Sequence, residues 1–413
     1  MKVGLRLGFF LIAMLGIGAL TGCSRTQATA SNSWDPKAAA AYLDQREIIW
    51  MGWPGSARDH GTFCVSCHTG LSYALARPTL RKALAEQGPS INERNLLENV
   101  SKRVRLWNEV EPYYSDGETY NDGKAAQSRG TESVLNALIL ASYDAPSGHL
   151  SDTSRAAFDD MWALQETTGE GKGAWAWLQF GLEPWEAKDS EYYGAALAAV
   201  AMGTAPAHYR STPDAQAKLN LLRDYLNREY ATQSAINRVV LLWASTKWPG
   251  LIDSERQQAI IKEVVDAQQS DGGWKLSSLA WRNDWSLHSL ARERLRADWT
   301  SQQRQSDGYA TGLIIFALEQ AGMPATNPTV KRGLEWLGRN QNEEDGTWPS
   351  TSLNERRSAS SNVGHFMRDA ATAYAVLALS GNASSAASAE TNRSDKNRVT
   401  ILSSKVNSVT RGD

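Results

Sequence analysis

Apolar and polar residues follow two patterns between residues 125 and 380. Five runs are small or apolar on every side, which is typical of buried helices: 131–141, 192–202, 235–244, 309–318 and 370–379. Runs 256–268 and 327–340 are amphipathic instead, with apolar residues such as Val330, Leu334 and Leu337 three or four positions apart. The period of two that indicates strands is almost absent. The chain is therefore predicted to be all-α, with outer amphipathic helices alternating with inner ones as in an α/α barrel.

A short pattern recurs beside these runs: a glutamine, a polar turn, then glycine and tryptophan. It occupies 165–175, 269–274 and 341–348, beginning at Gln165, Gln269 and Gln341. Glycine can end a helix in the left-handed region, and the tryptophan behind it can cover the helix end. We expect Trp175, Trp274 and Trp348 to be packing residues between repeats. Four further tryptophans are less tied to the repeat and are candidates for lining a cavity: Trp177, Trp185, Trp281 and Trp285.

These repeats resemble those of the squalene-hopene cyclase and protein prenyltransferase superfamily. The closest matches are Gln269-Ser270-Asp271-Gly272-Gly273-Trp274 and the segment from Asn340 to Trp348. The resemblance covers residues 125–380 and implies an α/α toroid with a central cavity. It does not carry over the family activities. Class II cyclases use a D-x-D-D acid, which is missing here, and the zinc site of prenyltransferases needs a cysteine, which the repeats lack.

The N-terminus has the order of charges and apolar residues that a secretory signal has. Lys2 and Arg6 precede an apolar run, 7–20, which ends in Leu20-Thr21-Gly22-Cys23. This ending resembles the bacterial lipobox, so we expect residues 1–22 to be removed and Cys23 to be acylated. Such a lipid anchor tethers a protein to a membrane, here on the periplasmic side. Position 24, directly after the acylated cysteine, is a serine and not the aspartate that retains lipoproteins in the inner membrane. The sequence is therefore compatible with transfer to the outer membrane. The alternative is an ordinary signal peptide with an unrelated cysteine.

The other two cysteines stand in Cys64-Val65-Ser66-Cys67-His68, a C-x-x-C-H motif. Two thiols at this spacing can reach the two vinyl groups of one porphyrin, and the adjacent imidazole can then bind the iron. The motif predicts one covalent c-type haem with His68 as its proximal ligand. Two alternatives are a thioredoxin-like redox disulfide and a structural disulfide.

The sixth iron ligand is left open by the sequence. Candidates are Met51, His60, His365 and Met323, and a five-coordinate iron is a further alternative. Arg77 is a candidate partner for a haem propionate, against the default of a surface arginine.

Acidic and polar residues recur where the inner helices are predicted to begin, and in a toroid these ends face one mouth. One interpretation is that they cap helices. The other is that they converge as a polar rim and an active site over an apolar cavity. The candidates are Glu132, Asp189, Glu191, Asp307, His365 and Asp369.

Charge and the division of the chain into segments bear on its partners and function. The chain has 43 lysines and arginines against 45 aspartates and glutamates, which gives no reason to expect a nucleic-acid partner. We divide it into a signal (1–22), a linker (23–36), a helical haem segment (37–124), the toroid (125–380) and a disordered tail (381–413). The predicted function is redox: electron transfer with a partner protein, or oxidation of an apolar small molecule. The alternative is a non-redox toroid that acts as a cyclase-like or ligand-binding protein, with Cys64 and Cys67 in a disulfide.

Overall fold

The computed structural model describes residues 34–117, 123–280, 305–355 and 357–381, which belong to one compact unit. Within these residues the chain is mostly helical, as predicted for an all-α fold. The strands described are two short ones, Ala57–Arg58 and Thr62–Phe63, which pair antiparallel. None of the described helices is both long and apolar enough to span a membrane.

The described residues form helices α1 to α14, numbered in chain order. The N-terminal three are α1 (Pro36–Gly52), α2 (Gly70–Ala83) and α3 (Ile91–Arg105). The next five are α4 (Lys124–Asp144), α5 (Asp152–Ala163), α6 (Ser190–Thr204), the short α7 (Ala207–Arg210) and α8 (Pro213–Glu229). The remainder are α9 (Ala235–Lys247), α10 (Ser254–Asp266), α11 (Leu276–Ala280), α12 (Gly308–Gln320), α13 (Pro328–Arg339) and α14 (366–381). Within the described ranges, four 3₁₀ turns lie between them: Asp59–Gly61, Ala145–Ser147, Tyr230–Thr232 and Asn362–His365.

All five runs predicted to be buried helices lie inside α4, α6, α9, α12 and α14, and they are buried along most of their length. Neighbours in this series touch: α4 packs on α6, α6 on α9 and α9 on α12. The backbone of α12 approaches α14 closely at Gly312, where a Cβ atom would lie 2.6 Å from the nitrogen of Ala375. The amphipathic helices α5, α8, α10 and α13 pack on α4, α6, α9 and α12, respectively.

The repeat turns share one set of contacts. In each, a glutamine side chain donates to the carbonyl of a left-handed glycine: Gln165 to Gly173, Gln268 to Gly272 and Gln341 to Gly346. The second repeat therefore uses Gln268 and not the predicted Gln269, whose side chain bonds to Ala267 instead. The predicted packing role of the tryptophans is confirmed. Each is fully buried, and its indole donates to a carbonyl near the end of the preceding helix: Trp175 to Met161, Trp274 to Val264 and Trp348 to Leu337.

The N-terminal segment is built into this arrangement and contacts both of its ends. Gln341 also donates to the carbonyl of Asp35 at 2.9 Å, and Arg46 on α1 forms an ion pair with Asp369 on α14 at 2.8 Å. On the other side, α2 and α3 pack on α4. These contacts fix the 64–69 loop between the first and last inner helices.

Candidate functional site

The loop that carries the C-x-x-C-H motif is held by hydrogen bonds on both sides. The amide of Cys64 donates to Ser56 at 2.9 Å, and its carbonyl accepts from the Trp50 indole at 2.8 Å. The Ser66 hydroxyl accepts the amides of Thr69 and Gly70 at 3.0 and 3.1 Å, which closes the turn into α2. The backbone around His68 is therefore fixed before any ligand binds.

The hydrogen bonds of His68 determine which of its ring nitrogens carries the proton. Nδ1 lies 2.8 Å from the hydroxyl of Thr69, and that hydroxyl donates its own proton to Asp369 at 2.7 Å. Since the hydroxyl has one proton, Nδ1 must be the donor in the first bond. Burial lowers the pKa of His68 well below its usual value, so the ring is neutral. Nε2 then carries a lone pair.

Asp369 anchors this chain of hydrogen bonds. Besides the Thr69 hydroxyl, it accepts Arg46 Nε at 2.8 Å and the Tyr42 hydroxyl at 2.7 Å. Burial raises the pKa of Asp369, while the Arg46 guanidinium opposes that rise. Three donors, two from α1 and one from the loop before α2, thus fix a carboxylate that is almost fully buried.

Aromatic side chains fix the plane of the His68 ring. Phe366 stacks on it with ring centroids 3.6 Å apart and an angle of 16° between the planes. Trp50 meets it edge-on at 5.1 Å, and Trp185 lies 6.1 Å away. A ring held this way presents Nε2 in one direction.

His68 lines a cavity of about 800 Å³. Its apolar wall includes Trp185, Trp336, Phe366 and Met367, and its charged wall includes Glu186, Asp307, Arg357 and Arg368. A cavity with aromatic walls and a few convergent polar groups is typical of a binding site for a small molecule or cofactor.

Two carboxyl groups in the cavity wall have raised proton affinity. Burial raises the pKa of Glu186 to about 7, and Arg357 opposes the rise. Burial raises the pKa of Asp307 to about 6, against the amides of Ala310 and Leu276, which donate to it. Both groups can exchange a proton near neutral pH, as an acid or base in a reaction must.

Cys64 and Cys67 are buried free thiols. Cys64 belongs to a small cluster with Trp50 and Tyr113, and Cys67 belongs to the main core. Burial raises the pKa of Cys64 to about 11 and that of Cys67 well above its usual value. Neither cysteine lines the cavity that His68 borders.

The chain matches no known protein family, and no curated protein matches it significantly.

The structure brings together only part of the predicted polar rim. Asp307 lines the cavity and also caps α12 through Ala310. Asp369 is linked to His68 through the Thr69 hydroxyl. His365 is linked to Asp369 through Tyr42, whose hydroxyl lies 3.3 Å from Nδ1 of His365.

The other three candidates lie elsewhere. Glu132 is fully buried in an ion pair with Arg103 on α3. Asp189 is exposed at the start of α6. Glu191 faces the turn of the first repeat, where Glu166 adds to the rise that burial causes in its pKa.

The candidate distal ligands do not line the cavity. His60 is exposed, Met323 lies in the turn after α12, and Met51 is half-buried at the end of α1. Arg77 is not a surface residue, because it is 3% exposed and bonded to Asp44 and Glu86. Of the cavity tryptophans predicted, Trp185 lines the wall and Trp177 is packed behind it, its indole donating to the Trp185 carbonyl. Trp281 and Trp285 lie outside the described residues.

Proposed function

We propose that this chain is an exported c-type haem protein that performs redox chemistry at the cavity beside His68. The haem would be attached through Cys64 and Cys67 and ligated by His68. The observation that carries this proposal is the fixed tautomer of His68. It leaves a lone pair on Nε2, which can bind a metal, and the ring belongs to the cavity wall. Histidines that bind metals commonly donate their other ring N–H to a fixed acceptor of this kind.

His68 and the cavity walls fit a haem, and the two cysteines stand at the sequence spacing that its attachment needs. The described residues include no group of three histidine, cysteine or acidic side chains placed to hold a bare metal ion. A haem iron needs only one imidazole from the protein, because the porphyrin supplies four nitrogens. The cavity walls offer aromatic faces for a macrocycle, and Arg357 and Arg368 offer charges for its propionates. Since neither sulfur lines the cavity, covalent attachment is the part of the proposal that experiments must test most directly.

The protein groups have defined tasks in such a site. A bound haem supplies one-electron chemistry. His68 is kept neutral and oriented by Phe366 and Thr69, and the carboxylate of Asp369 increases the basicity of the ring through the Thr69 hydroxyl. Glu186 and Asp307 can take up or give a proton at the cavity wall, where a substrate that is being oxidised loses one.

Oxidation of a bound small molecule is favoured over electron transfer alone. The feature that favours it is the cavity itself, whose volume of about 800 Å³ is bordered by His68 and by the two protonatable acids. The mixed aromatic and acidic wall fits an apolar molecule that carries an ionisable or hydroxyl group.

We further propose an α/α toroid for the helical region. The contacts of α4, α6, α9, α12 and α14 in chain order support this arrangement, and the N-terminal segment bridges α14 and α4. The lipobox-like sequence at Cys23 supports a lipid anchor on the periplasmic side of a bacterial membrane.

The test is to produce the exported protein with the c-type maturation machinery and record its reduced and oxidised absorption spectra and a haem-stained denaturing gel. We expect a haem band that is lost when Cys64 and Cys67 are both replaced by alanine. A high-spin ferric spectrum would support oxidation at an open iron, and a low-spin spectrum would favour electron transfer. A protein without haem, with Cys64 and Cys67 in a disulfide, would contradict the proposal and leave a non-redox toroid.

A further inference from the structure

One buried acid has no task in the site described so far. Glu47 on α1 is 0% exposed, and neither of its carboxyl oxygens has a hydrogen-bond partner among the residues that the structure describes. Burial, together with the nearby Asp369 and Asp44 carboxylates, raises the pKa of Glu47 to about 8. An ionised carboxylate in such a place is costly, so Glu47 holds a proton at neutral pH.

The charged groups around Glu47 are already paired with one another. A negative charge on Glu47 would therefore have no cation of its own to stabilise it. The pairs are Asp44 with Arg77 and Tyr73, Asp369 with Arg46, and, from α3, Glu93 with Arg81.

Glu47 is also close enough to the His68 chain to sense its charge. Asp369, which raises the pKa of Glu47, is the carboxylate that accepts the Thr69 hydroxyl and so anchors His68. Trp50, one helical turn after Glu47, meets the His68 ring edge-on at 5.1 Å. A change of charge at His68 therefore shifts the proton affinity of Glu47 across a buried, low-dielectric interior.

We propose that Glu47 is a redox-linked proton site, which keeps its proton while the site at His68 is reduced and releases it when that site is oxidised. This inference rests on the proposed haem at His68. In each oxidation, one electron leaves for a one-electron acceptor, which is a redox partner protein or the electrode of the experiment. One proton leaves Glu47 for the solvent. The negative charge gained at Glu47 offsets the positive charge gained at the site, so the two events are coupled.

The test measures the midpoint potential of the haem-loaded protein as a function of pH in the wild type, Glu47→Gln and Glu319→Gln. Glu319 is the matched control, because burial raises its pKa to about 8 as well. It lies at the far end of α12 from Asp307, about 18 Å away at about 1.5 Å per residue.

We expect the wild-type potential to fall as the pH rises towards 8. The limit is about 59 mV per pH unit, which is the tenfold change of a one-electron couple. Glu47→Gln should be nearly flat over this range, and Glu319→Gln should follow the wild type.

A second measurement detects the proton on Glu47 directly. The infrared difference spectrum between the reduced and oxidised protein should contain the carbonyl band of a protonated carboxylic acid, lost on oxidation, and the band should be absent in Glu47→Gln. A haem-loaded Glu47→Gln protein that keeps both the slope and the band would overturn the inference while leaving the proposed function intact. A protein that binds no haem would overturn the proposed function and this inference with it.

Discussion

At the scale of single residues, the central feature is the chain of hydrogen bonds from His68 through Thr69 to Asp369. Thr69 and Asp369 stand 300 positions apart in the sequence, and both are buried. Thr69 is the link that can be removed without disturbing the ion pair of Asp369 with Arg46.

Replacing Thr69 with valine should destabilise the protein. The change leaves Nδ1 of His68 and one oxygen of Asp369 without their buried partner, which costs about 1–3 kcal/mol. The free energy of unfolding in urea measures the loss, and Thr69→Ser, which keeps the hydroxyl, is the control. Equal stabilities of the valine and serine variants would show that the chain does not hold His68.

Glu47 predicts a dependence of stability on pH that does not require haem. Its pKa is about 8 in the folded protein and about 4.3 when unfolded. The folded state therefore binds the extra proton between these values, and stability falls as the pH rises. Relative to Glu47→Gln, the wild type should lose up to about 1.4 kcal/mol per pH unit between pH 5 and 8. Urea unfolding at several pH values tests this, and parallel curves for the two proteins would contradict it.

At the scale of elements, the sequence was most informative where burial is uniform. The five buried helices were predicted because each carries small or apolar residues on all of its faces. By contrast, the sequence carries no clear signal for α2, α5 and α8. Helix α2 contains Pro78, which usually ends or kinks a helix, and α5 and α8 bury only one face. The glutamine of the second repeat was assigned one position too late, because Gln268 and Gln269 are adjacent and only the fold shows which one reaches Gly272.

The docking of α1 on the third repeat turn can be tested at Gly346. This glycine has φ +72°, and a Cβ atom there would collide with the backbone of Ala38 on α1. Gly148 also has φ +72° but nothing lies near it, so Gly148→Ala measures the cost of backbone strain alone. We expect Gly346→Ala to lower the unfolding free energy by about 1–3 kcal/mol more than Gly148→Ala does. Equal losses would mean that α1 does not pack there.

At the scale of the whole molecule, the site is assembled from segments that are distant in sequence. The motif pointed to His68 in advance, and the predicted polar rim included Asp307 and Asp369, whereas the haem-binding roles of Cys64 and Cys67 stay predictions. Glu186, Arg357 and Met367 were missed as lining residues, because they come from loops or helix starts that carry no local signal of a shared cavity. Sequence periodicity reports which face of an element is buried, and it does not report which loops meet.

The membrane anchor is a property of the whole molecule that can be separated from the site. We expect Cys23→Ser to release the protein from the membrane fraction of cells that export the wild type as a lipoprotein, because the acyl chains are the only anchor proposed. Haem content per chain should not change. The measurement is fractionation of membranes with and without detergent. A Cys23→Ser protein that stays with the membrane would show that another part of the chain binds it.

The most direct test of the central claim is the intact mass of the exported, matured protein, compared with that of the double variant with Cys64→Ser and Cys67→Ser. We predict that the wild type carries the mass of one haem under denaturing conditions, that the attachment maps to the peptide containing Cys64, Cys67 and His68, and that replacing both cysteines removes it. A wild-type mass without haem, with the two cysteines recovered as thiols or as a disulfide, would contradict the assignment of this site as a haem centre.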